Sequence, residues 1–133
     1  MRATLRGSAA HWATALSVAL AWPLLGAIRL PHLELDKSFP ANGSTVDSVP
    51  EIRLWFKQPP MEMGGQGVTL RILGPDGKLI ATGTAARDAK DRKIFSLALP
   101  RGLPPRSYTV AWQAMAEDGD VVRGEITFTV ASP

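Results

Sequence analysis

Short segments of strict apolar alternation, set between clusters of proline and glycine, constrain this chain more than any other feature. Ile52, Leu54 and Phe56 fall on one side of a strand while Arg53, Trp55 and Lys57 fall on the other. Val68, Leu70 and Ile72 repeat the pattern, as do Tyr108, Val110 and Trp112, then Ile126, Phe128 and Val130. Side chains alternate across a strand with period two, so each set turns one apolar face inward and leaves Thr, Arg and Glu to water. No comparable stretch has helical periodicity. The alternation predicts strands at Leu33 to Lys37, Glu51 to Phe56, Val68 to Leu73, Leu79 to Gly83, Lys93 to Leu99, Tyr108 to Ala114 and Gly124 to Val130. Seven short strands with one apolar face each imply an all-β sandwich.

The connections carry matching chemistry. Pro40-Ala41-Asn42-Gly43 and Gly74-Pro75-Asp76-Gly77 hold residues that accept the backbone conformations of tight turns. Pro104-Pro105 leading into Tyr108 has the form of a tyrosine corner, in which the phenol bonds back to nearby backbone. A longer loop from Pro59 to Gly67 holds Met61 and Met63. At its aligned position Trp112 reads as core, whereas Trp55 lies on the opposite face from Leu54 and would mark a contact surface if exposed.

The first 27 residues differ from the rest. Arg2 and Arg6 precede an apolar run from Trp12 to Ala27 that is interrupted by Ser17 and Pro23, the pattern of a secretory signal peptide cut after Ala27. A membrane anchor would need about 20 apolar residues. The domain organisation expected is therefore a signal at 1–27 and one domain at 28–133. Removing Arg2 and Arg6 from the 15 basic residues leaves 13 against 12 acidic ones, and the formal charge falls from +3 to +1. The short basic run Arg87, Lys90, Arg92 and Lys93 is interleaved with Asp88 and Asp91 rather than with aromatics, which argues for a solvated loop and against nucleic acid.

The chain of 133 residues has no cysteine, so thiolate metal sites, cysteine catalysis and disulfides are excluded and a hydrophobic core must hold the domain. Its two histidines are His11, within the signal, and His32. No G-x-S-x-G elbow, P-loop, H-E-x-x-H or dinucleotide fingerprint occurs. Asp118 and Asp120 form a carboxylate pair, but on a glycine-containing loop they also serve as turn residues. A binding protein is expected rather than an enzyme.

Residues His32 to Gly43, with an early His ahead of a Ser-x-Pro-x-x-Gly turn, resemble the opening of the CopC family of periplasmic copper-resistance proteins. Ile52-Arg53-Leu54-Trp55-Phe56 is similar to that family's second strand, and Leu103 to Trp112, Asp118-Gly119 and Gly124 to Val130 resemble its closing hairpin. The resemblance implies an immunoglobulin-like Greek-key sandwich in the periplasm that binds or carries copper ions, often beside a CopD-type membrane partner. It also implies a copper(II) site of nitrogen and oxygen donors: the amine and imidazole of a first-position His, an Asp, and a His two residues later.

On those positions His32, Asp118 and Asp120 are the candidate metal ligands. Asp120 stands where the family has its second His, and Gln58 where many members carry an acid. His32 follows Pro31, and cleavage after Ala27 leaves it inside the mature chain, without the amine chelate. The donor set suits copper(II) better than copper(I) and shifts toward harder cations. Met61, Met63 and Met115 are the thioethers available to copper(I). The alternative is a metal-free sandwich that kept the fold and serves as an interaction module for a membrane or periplasmic partner.

Overall fold

The computed structural model describes residues 32–62 and 67–133. The signal expected at 1–27 and Met63 lie outside the described residues. The strands run in the order β1 (Leu35–Phe39), β2 (Ser44–Val46), β3 (Glu51–Phe56), β4 (Val68–Leu73), β5 (Leu79–Arg87), β6 (Ile94–Ala98), β7 (Ser107–Met115) and β8 (Val121–Val130). The sheet order is β1-β3-β6-β5-β4-β7-β8-β2. β5 joins the two layers of the sandwich. Its residues from Leu79 to Ala85 pair with β4, and Ala86 and Arg87 pair with β6.

The eight strands among the described residues correct the expectation of seven. The additional one, β2, has three residues and runs parallel to the end of β8, pairing Ser44 with Phe128 and Val46 with Val130. Its length is too short to show alternation, and the turn before it places it: the Thr127 N–H donates to Asn42 Oδ1 at 2.9 Å, and Gly43 N–H donates to the Thr127 carbonyl at 2.6 Å. Gly43 has φ +77°, a conformation glycine adopts without steric cost. β1 begins at Leu35 rather than Leu33, because Leu33 leaves the ladder to enter the core.

The alternating sets face inward as expected. Ile52, Leu54, Phe56, Val68, Leu70, Ile72, Tyr108, Val110, Trp112, Ile126, Phe128 and Val130 are all buried, joined by Leu33, Val49 and Phe95. Phe56 links the layers, meeting the Trp112 ring edge-on at 5.4 Å and the Phe95 ring at 6.1 Å. Trp112 is paired in register with Gly124, and a Cβ at that glycine would lie 2.4 Å from the indole. The Tyr108 hydroxyl donates to the Pro104 carbonyl, which completes the tyrosine corner, and burial raises the phenol's pKa. Trp55 is half-buried on the outer face, with Lys37 Nζ 4.8 Å and Arg53 Cζ 5.7 Å from its ring.

The basic run forms an ordered turn built on its acids. Asp88 Oδ2 accepts the N–H groups of Lys90 and Asp91, each at 2.9 Å, and Asp91 Oδ1 accepts that of Lys93 at 2.9 Å.

Candidate metal centre

Two elements distant in sequence build the site. The first is the tip of the β7–β8 hairpin. Pairing ends at Met115 and Val121, leaving Ala116 to Asp120 to reverse the chain. Ala116 N–H donates to the Asp120 carbonyl at 2.8 Å, and Gly119 N–H donates to that of Ala116 at 2.9 Å. Asp118 Oδ1 accepts the Asp120 N–H at 3.0 Å, so one oxygen of this carboxylate shapes the loop. Gly119, at φ +90°, takes the left-handed conformation that other residues adopt only with strain. The turn chemistry thus holds both aspartates exposed at one tip.

The second element is the arm His32-Leu33-Glu34, ahead of β1. Leu33 is buried, retaining only 4% of its exposure. The Lys57 N–H donates to the Glu34 carbonyl at 2.8 Å, and the Glu34 N–H donates to Gln58 Oε1 at 3.2 Å. Lys57 Nζ meets Glu34 Oε2 at 2.7 Å. The hydrogen bond from Lys57 and its charge lower the pKa of Glu34, and the hydrogen bond and charge of Glu34 in turn raise that of Lys57.

These two elements bring His32, Asp118 and Asp120 together. One potential ligand atom from each lies within 4.8 Å of the other two, and all three side chains are exposed. Three donors spaced evenly about one divalent ion at about 2.0–2.2 Å lie at most roughly 3.8 Å apart, so closing this set on an ion draws the arm and the hairpin tip together. An imidazole nitrogen with two carboxylates fits a borderline divalent cation such as copper(II), and offers copper(I) no soft donor. Gln58, expected near the ligands, uses its amide oxygen on the arm's backbone. Met61 and Met115 are bridged through their backbones, the Met61 N–H donating to the Met115 carbonyl at 2.8 Å, and both side chains are half-buried.

The comparison with known proteins follows the same elements. The profile of the CopC domain matches residues 35–131. The chain belongs to the CopC family. Protein YobA of Escherichia coli K12 is 34% identical over 100 residues, covering 74% of this chain and 78% of that protein. Among solved structures, CopC from Methylosinus trichosporium OB3b superposes with a TM-score of 0.66 at 26% identity, over 75% of this chain and 94% of that one. PcoC from Escherichia coli, described as a methionine-rich copper resistance protein, gives 0.61 at 29% identity over 75% and 99%. CopC-family membership thus makes this a chain of a copper-resistance family with a β-sandwich fold. His32 precedes the matched segment, whereas Asp118 and Asp120 lie within it.

The residues that sequence reasoning missed are Glu34 and Lys57. The strand register brings them together, since with Leu35 opposite Phe56 in an antiparallel pair Glu34 falls opposite Lys57, and the sequence alone does not fix that register.

Proposed function

We propose that this protein is a periplasmic copper-binding protein that holds or carries copper ions, with copper(II) as the cargo and His32, Asp118 and Asp120 as its ligands. The observation that carries this reading is the convergence of the three donors from the arm and the hairpin tip, within 4.8 Å of one another. Family membership supports copper as the ion and the periplasm as the compartment. Divalent affinity at nitrogen and oxygen sites peaks at copper(II), which favours it over other first-row ions even with one imidazole. The protein's task is binding, with no bond made or broken, and a CopD-type membrane protein is the partner this role implies.

The metal-free alternative rests on Trp55 or the loop from Pro59 to Gly67 as a contact surface, and residues 63–66 of that loop lie outside the described residues. The Trp55 ring is half-buried and has Lys37 and Arg53 over it, which gives a partner less apolar area than a free indole would.

Titration of the purified protein with copper(II), followed by its d–d absorption and by electron paramagnetic resonance, tests the reading. A 1:1 complex with nitrogen hyperfine structure is expected, lost in His32→Ala and weakened in Asp118→Asn and Asp120→Asn. Binding that is indifferent to all three substitutions would overturn the assignment of the ligands.

A further inference from the structure

His32 sits beyond the β1–β3 pairing, which starts at Leu35 and Phe56, and past Leu35 a single backbone bond, from Lys57 N–H to the Glu34 carbonyl, ties the segment to β3. Such segments fray unless they are tied down. Here the ties converge on Glu34. Its carbonyl accepts from Lys57 N–H, its N–H donates to Gln58 Oε1, and its carboxylate pairs with Lys57 Nζ at 2.7 Å. The side chains of Lys57 and Glu34 keep 53% and 57% of their exposure. An ion pair in water contributes little to the stability of a fold, so stability gives little reason for this one. Its location two residues from His32 supplies another.

We propose that the Glu34–Lys57 pair is a clasp that positions the His32 imidazole against the Asp118–Asp120 loop, and that it sets metal affinity without contributing measurably to the stability of the domain. The proposal rests on the ligand assignment made under Proposed function. Its physical basis is preorganisation: a metal that needs the docked arm sees its apparent affinity reduced by the fraction of time the arm is docked. Leu33 anchors the arm in the core, and the clasp limits how His32, on the outer side of that anchor, departs from the loop. Glu34 and Lys57 are therefore positioning residues, separate from the ligands.

Charge reversal separates this role from simple electrostatics. Glu34→Lys makes the neighbourhood more positive and would weaken a cation's binding on charge alone, whereas Lys57→Glu makes it more negative and would strengthen it. A clasp predicts instead that both single variants lose copper(II) affinity, by on the order of fivefold, and that the double swap Glu34→Lys with Lys57→Glu restores it to within about twofold. Urea midpoints should stay at the wild-type value throughout. Amide exchange of Leu33 and Glu34 in the metal-free protein should quicken in the single variants and recover in the swap.

Opposite shifts in the two single variants would show that only charge matters and would overturn the clasp. So would a double swap that fails to recover, the result expected if Glu34 were itself a ligand, or arm exchange unchanged in every variant. If the wild-type protein binds no copper(II) in a His32-dependent way, the ligand assignment fails and the positioning role fails with it. His32-dependent binding that ignores the clasp variants removes the clasp alone.

Discussion

Trp112 and Gly124 show how a single position can set the tolerance of the whole core. The indole lies flat against the backbone of the neighbouring strand, where a Cβ would come within 2.4 Å of Cζ2 and 2.6 Å of Cε2. The ring itself is packed edge-on against Phe56 on its core side. Gly124→Ala should therefore destabilise the domain by about 1–3 kcal/mol, the cost of overpacking a filled core, measured as a lower urea midpoint with an unchanged slope. An unaltered midpoint would mean that the indole moves freely. Tyr108→Phe tests a different interaction, the donation from the phenol to the Pro104 carbonyl. Removing it should cost about 1 kcal/mol and leave the ring stack on Phe128, at 5.5 Å, in place. Neither the Gly124 contact nor the Glu34–Lys57 pair was visible as such in the sequence, because each depends on which residues the strand register places opposite one another.

Elements with clear alternation could be read from the sequence, because a buried face repeats every second residue and a slip by one would invert it. That is why β3 and β4 lie where expected and β7 extends only one residue beyond at each end, while β8 starts at Val121 instead of Gly124, and why β2 and the two-sheet path of β5 did not emerge: pairing partners dictate these, and three residues or a crossover carry no period. The turn at Asp118-Gly119-Asp120 was legible from its residue types, whereas the grouping of His32 with the two aspartates was expected only through the CopC resemblance, since it depends on the long-range docking of the arm. The loop between β5 and β6 makes a pH prediction at this scale. The backbone N–H groups of Lys90 and Asp91 bond the Asp88 carboxylate and lower its pKa below the ordinary value. A depressed pKa means that the turn's contribution is fully present above the ordinary carboxylate pKa and is lost as pH falls through the lowered one. On acidification, the Lys90 and Asp91 amide resonances should move with a midpoint below that of an unstructured Asp, while the core resonances stay put. A midpoint at the ordinary value would show that those bonds are not formed in solution.

Across the whole molecule, the site joins the chain's first described residues to the last hairpin. His32 is the first described residue, and Asp118 and Asp120 lie in the turn between β7 and β8, strands that place Trp112 and Phe128 in the core. An ion held by both elements cross-links the arm to the hairpin only in the folded state, since the unfolded chain does not hold the three donors together. A ligand of that kind stabilises folding by about 2.7 kcal/mol when its free concentration is a hundred times Kd. For a domain of this size each kilocalorie raises Tm by roughly 4–8 °C, so copper(II) should raise Tm by on the order of 10 °C or more. A chelator should reverse the rise, and His32→Ala should abolish it while leaving the metal-free Tm close to wild type, because the imidazole is exposed. If copper(II) lowered Tm instead, the metal would be binding the unfolded chain in preference to the folded one, and the arm and hairpin tip would not be its site.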